Sequence, residues 1–175
     1  MNPAHFTLAL FVVTAAALDL HARRIPNWLN LAGAACGLGA SVLSGGAAAA
    51  LDSVLGLGAG LLMLLPFFAL RVLGAGDVKM LAAIGSFAGP LGVLACGLYA
   101  MIAGGVLALA AMLAGGRWKA ARRNLHTMFL GLLLRAQGAQ GPVADLEKHS
   151  AARLPYGVAL AAGTLCWIFL QPRST

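Results

Sequence analysis

Leu91–Ala114 reads LGVLACGLYAMIAGGVLALAAMLA, a run of 24 residues without one charged side chain. A helix needs ~20 mostly apolar residues, at a rise of 1.5 Å each, to cross the hydrocarbon core of a bilayer. Working outward from this run, the same pattern recurs along the chain. Candidate spans cover Pro3–Leu20, Pro26–Leu43, Ala49–Leu70, Val78–Ala88, Leu91–Ala114 and Leu154–Leu170. The fourth holds only 11 residues before Gly89-Pro90 interrupts it, so it is either a half-span or a helix that continues past a kink. Nothing shows the ten-residue alternation of a membrane barrel. The expected fold is therefore all-α: a polytopic membrane protein of about six transmembrane helices.

The composition agrees. Of 175 residues, 61% are hydrophobic and 10% charged, and the mean hydropathy is +0.88. Soluble domains carry about 45–50% apolar and about 25% charged residues. A soluble globular enzyme could not cover its surface with so few charges, and a disordered chain would not be so apolar. The 23 glycines and 7 prolines suit membrane helices. The net charge of +7 does not point to nucleic acid, because the basic residues fall between apolar runs, where they orient the chain in the bilayer. Cys36, Cys96 and Cys166 each sit inside an apolar run, and His5, His21, His126 and His149 lack ligand spacing. The cysteines read as small packing residues, and neither a disulfide, a metal nor a cofactor is expected. The first apolar stretch lacks a basic n-region and a clear cleavage site, so it reads as a span and not as a cleavable signal.

Orientation follows from the charges. Arg23, Arg24, Arg71, Lys79, Arg117, Lys119, Arg122, Arg123, Arg135, Lys148 and Arg153 fall in alternate links, against Arg173 alone on the other side. The positive-inside rule places those links in the cytoplasm and both termini outside. The whole chain, residues 1–175, reads as a single membrane-embedded domain. Within it, 115–150 forms a cytoplasmic loop. The apolar piece His126–Leu134 is too short to cross and reads as an interfacial helix, and Gln137–Pro142 reads as a turn.

Ionisable residues at membrane depth are costly, which makes them functional candidates. There are five acids. Asp145 and Glu147 belong to the loop, and Asp52 opens the third span from the outer side in a cap-like position. Asp19 and Asp77 remain. Asp19 ends the first span at the cytoplasmic edge; the chain then crosses out and back, and Asp77 follows the return. Two carboxylates 58 positions apart thus share one depth. Asp77 lies in Gly74-Ala75-Gly76-Asp77-Val78-Lys79, which is neither a P-loop nor GxGxxG. Its glycines permit unusual backbone and close helix approach. The bland alternative is a glycine-rich turn in which Asp77 caps the fourth span; for Asp19 it is a salt bridge to Arg23 or Arg24. Asn27 either caps a helix or hydrogen-bonds a substrate backbone. Two facing carboxylates near water cannot both ionise comfortably, so they share a proton and titrate as a pair. One then takes a proton from water while the other hydrogen-bonds to a scissile carbonyl.

At these motifs the chain resembles the bacterial type IV prepilin peptidases, and within them the short Flp/Tad-type branch that lacks the cytoplasmic cysteine-rich domain. The matching pieces are Asp19 with Arg24-Ile25-Pro26-Asn27, then Gly74 to Lys79, then Leu154-Pro155-Tyr156-Gly157-Val158-Ala159. GxGD alone is shared with other intramembrane proteases, whereas the three blocks together are specific. The resemblance implies a membrane-embedded aspartic endopeptidase of the bacterial inner membrane. Such an enzyme removes the leader of prepilins at the cytoplasmic face, and whether pseudopilins are cut as well is a question the sequence leaves open. By position, Asp19 and Asp77 become the catalytic pair, and Gly74 and Gly76 shape the loop presenting Asp77. Lys79 either biases Asp77, engages substrate or snorkels to phosphates. Arg24, Asn27, Pro155, Tyr156 and Gly157 are support or substrate-facing candidates, with a helix start and an interfacial aromatic as the plainer account of the last three.

Two rivals make different demands. A small proton-coupled transporter using Asp19 and Asp77 as relay groups calls for acids near the midplane, broken helices and inverted repeats. A non-catalytic assembly subunit would use the pairs Gly33/Gly37, Gly56/Gly60 and Gly85/Gly89 for helix packing, and leaves the aspartates without a role.

Overall fold

The computed structural model describes residues 3–70, 73–114 and 156–171. Among them lie four helices and no strand: α1 (Pro3–Ala22), α2 (Asn27–Ala69), α3 (Ala75–Ala114) and α4 (Tyr156–Leu170). The first three are long and apolar enough to cross a membrane, and α4 is a shorter apolar helix. The residues Met1–Gly105 and Pro155–Thr175 form one compact unit and Val106–Leu154 a second, of which residues 106–114 are described. The expected interfacial helix at His126–Leu134, the rest of the 115–150 loop, Arg71 and Pro155 lie outside the described residues.

Four helices stand where the sequence suggests six separate spans, and two glycines account for the difference. Gly46 has φ 63° and ψ −145° inside α2. Gly37 lies against Ser86 and Phe87, while Gly56 lies against Gly85 and Gly89. On a straight helix residues 37 and 56 would be ~28 Å apart; both meet the same stretch of α3, so α2 reverses at Gly46. Gly89 has φ 68° and ψ 179° inside α3. A Cβ at Gly97 would lie 3.7 Å from Leu81 Cδ2, a pair that a straight helix would hold ~24 Å apart, so α3 reverses at Gly89. Only glycine adopts such a left-handed backbone without a Cβ penalty, and Pro90, with φ pre-set and no N–H to lose, opens the returning half. The turns are so tight that no loop separates the halves.

The helices pack through small residues, as expected where lipid removes the hydrophobic drive between helices and contact area decides. A side chain at Gly56 would strike the Gly85 carbonyl, and one at Gly60 would meet Leu81 and Ala82 backbone. α4 runs antiparallel to α1: Asp19 meets Gly157 at one end, and His5 and Trp167 meet edge to face at the other, with centroids 5.8 Å apart. It also lines the second half of α3, with Tyr156 against Gly104 and Trp167 against Gly92. Leu8, Val12, Leu64, Met80, Leu81, Ile84 and Leu160 fill the interior. Buried Ser53 donates to the Ser86 carbonyl at 2.7 Å and Ser86 to that of Ala83 at 2.8 Å, so these hydroxyls are satisfied. The outer surface is apolar: Leu43 is 90% exposed and Leu91 82%. Water would not tolerate this surface, whereas lipid would.

Candidate active site

Four chain segments meet at one end of the larger unit: the close of α1, and the starts of α2, α3 and α4. Asp19, in the last turn of α1, is only 7% exposed. Its Oδ2 accepts a hydrogen bond from the Gly157 amide at 2.9 Å. Gly157 is the second residue of α4, where backbone N–H groups have no partner within the helix and the dipole favours an anion. The glycine is required by space, because a Cβ there would lie 2.7 Å from Asp19 Oδ2 and 3.0 Å from its Cβ. Among the described residues no ion pair joins Asp19 to Arg23 or Arg24. Arg23 instead ends α1 in a left-handed conformation, φ 49°, with its N–H bonded to the Asp19 carbonyl at 2.9 Å. Arg24 is exposed beside it. Pro26, with φ −62° and ψ 138°, then leads into α2.

Asp77 is the third residue of α3 and is half-buried. Its Oδ2 accepts from the Gly74 amide at 3.2 Å, while the Asp77 and Val78 amides donate to the Gly74 carbonyl at 3.2 and 3.4 Å. The Asp77 side chain thus makes one half of a capping box, the half that reaches back to the N-cap amide, while Gly74 has no side chain to supply the other. The plainer account of Asp77 as a cap is thus realised, yet it does not exhaust the residue. The same carboxylate lies within electrostatic range of Asp19, and Tyr156 lies within range of Asp77. The start of α2 fastens this loop at three points. A Cβ on Gly76 would sit 3.4 Å from Ile25 Cβ, Asn30 Nδ2 donates to the Gly76 carbonyl at 3.3 Å, and Lys79 Nζ donates to Asn27 Oδ1 at 2.9 Å.

Of the residues singled out in the sequence, Asp19, Asp77, Gly74, Gly76, Tyr156 and Gly157 come together here. Asn27 provides no side-chain cap for its own helix. Asn27 and Lys79 hold each other at the exposed edge, joining α2 to α3. Asp52 is exposed, with its carboxylate against Gly89 at the opposite end. Asn30 was not anticipated. The available signal was an uncharged polar residue, three positions after Asn27, on the path of an apolar span.

An all-α bundle with an apolar exterior and two acids drawn together at one end defines a helical membrane protein with a candidate acid-pair site. A model of the type IV leader peptidase family matches residues 6–109, more than half of the chain, and the chain belongs to that family. The matched region includes both aspartates and stops short of the Tyr156-Gly157 segment. No curated protein and no solved structure matches.

Proposed function

We propose that this chain is an aspartic endopeptidase that removes the leader of Flp/Tad-type prepilins at the cytoplasmic face of the bacterial inner membrane, with Asp19 and Asp77 as its catalytic pair. Membership of a leader peptidase family supplies the reaction class. The observation that carries the residue assignment is the convergence of two acids 58 positions apart, each bonded to a backbone amide, with Asp19 within electrostatic range of Asp77.

In this mechanism one carboxylate takes a proton from water as the water oxygen attacks the scissile carbonyl carbon. The partner, protonated, hydrogen-bonds to the carbonyl oxygen as charge develops there. The tetrahedral intermediate collapses with breakage of the C–N bond, and the leaving amine takes a proton from the pair. The Gly157 amide holds Asp19 in place throughout. With α2 and α3 each folded back, the chain makes six crossings. The basic links then lie in the cytoplasm and both termini outside, with the acid pair at the inner interface. A prepilin that enters as an apolar helix with a cytoplasmic leader presents its cleavage site at that depth. The acids lie at one end of the bundle and not near its middle, which is opposite to what a midplane relay in a transporter requires.

The test is cleavage of a synthetic prepilin-like precursor by the purified protein in liposomes, followed by gel shift. Asp19→Asn and Asp77→Asn are each expected to abolish leader release while the protein still inserts and folds. Near-normal cleavage by either variant overturns the paired-acid mechanism.

A further inference from the structure

We propose that Asn30 is a positioning residue that holds the peptide carrying Asp77 in register with Asp19; the inference rests on the acid-pair function above. Asn30 is 4% exposed. Its Nδ2 donates to the Gly76 carbonyl at 3.3 Å, and that carbonyl belongs to the peptide unit whose nitrogen is Asp77's. Asn30 therefore grips the backbone immediately before the acid, from a different helix. Among the described residues, Asn30 Oδ1 is buried with no hydrogen-bond partner.

That unpaired oxygen separates two explanations. A buried acceptor without a partner weakens the folded state, whereas loss of the Asn30 donor leaves the Gly76 carbonyl, in the first turn of α3, with the helical bond from the N–H four residues on. Asn30 is thus a poor choice for holding the bundle together and a specific one for holding the Gly76 carbonyl. The other fastenings of this loop cannot replace it. The contact between Ile25 and Gly76 is packing without direction, and the Lys79–Asn27 bond lies at the exposed edge, two residues past the acid. Asp77's own bond runs to Gly74 within the same loop, so it shapes the loop without fixing the loop against α1.

The experiment compares Asn30→Leu with the parent and with Asp77→Asn in the same liposome assay, together with melting in detergent. Leucine keeps the branching and heavy-atom count of asparagine, with bulkier methyls, and removes both the donor and the unpaired acceptor; Asn30→Ala, which adds no bulk, is measured beside it and separates overpacking from loss of the bond. The expected result is a melting temperature equal to or above the parent's, with kcat lowered ~10- to 100-fold, in line with the cost of displacing a reacting group by about 1 Å, while KM stays close to the parent's. The pH profile of kcat should also shift, because the placement of the two acids sets how the pair titrates; loss of a merely structural contact leaves that profile in place. Parent-like kcat in Asn30→Leu overturns the proposal, and so does a loss of rate accompanied by a lower melting temperature, which would make Asn30 a fold residue. Asp77→Asn keeps the two levels apart. If it still cleaves, the acid-pair function itself falls whatever Asn30→Leu does; if it is inactive while Asn30→Leu is normal, only the present inference falls.

Discussion

Gly157 and Asp19 touch across 138 positions of sequence, and the contact leaves no room for a methyl group. The position decides whether Asp19 keeps its backbone donor. Gly157→Ala places a carbon 2.7 Å from Asp19 Oδ2, so either α4 moves away or the carboxylate turns. Cleavage should fall ~10- to 100-fold through misplacement of the acid, and a kinetic comparison with the parent in liposomes checks it; unchanged kcat would show that the Gly157 bond does not orient Asp19. Gly74 has a different status, because a Cβ there would lie 3.3 Å from Asp77 Oδ2 and an adjustment of that side chain relieves it. Gly74→Ala should cost less activity than Gly157→Ala. At this scale Asp19 and Asp77 stood out in the sequence as candidates because an acid in an apolar chain needs a reason to be there. Asn30 did not, because an uncharged amide raises no such alarm until its burial and its partner are known.

The helices α2 and α3 each fold back on one glycine, and the two turns differ in their surroundings. A Cβ at Gly46 would meet nothing within 4 Å, whereas at Gly89 that atom would meet Asp52 Oδ2 at 2.8 Å. Alanine at either site bears the penalty of a positive-φ, extended-ψ backbone that is essentially reserved for glycine, on the order of 1–3 kcal/mol, and at Gly89 the collision adds to it. Gly89→Ala should therefore lower the melting temperature in detergent more than Gly46→Ala. Equal effects would mean that Asp52 simply swings aside. Gly56→Ala should exceed Gly46→Ala too, since its new methyl meets the Gly85 carbonyl, which is backbone and cannot rotate away. The sequence marked the Gly56 and Gly85 pairs as packing sites and placed a break at Gly89-Pro90. It suggested separate spans where the chain holds continuous helices with reversals, because hydropathy locates the ends of apolar runs and carries no information on how few residues a turn needs.

For the molecule as a whole, the six crossings proposed above make a direct prediction. With the three native cysteines replaced, Ala120→Cys should label from the cytoplasmic side and Ala47→Cys from the opposite side, using an impermeant thiol reagent on intact and permeabilised cells. The reverse pattern would place the acid pair at the outer face and rule out a cytoplasmic leader as substrate. The pH dependence belongs to the same scale: a pair that works with one shared proton gives a rate that declines on both sides of its optimum, measurable in liposomes buffered across the range. Composition alone determined that this chain is helical and lives in lipid, since 61% hydrophobic residues with 10% charged leave no surface for water and the bilayer demands internally bonded backbone. Motif spacing also singled out the two acids, because charge is expensive there. What only the tertiary structure decided is how they are held across the chain: the amide of Gly157 on Asp19 and the grip of Asn30 on the Gly76 carbonyl. These are contacts between segments far apart in the chain, set by the reversals at Gly46 and Gly89, and no local pattern encodes the distance at which two helices come to rest.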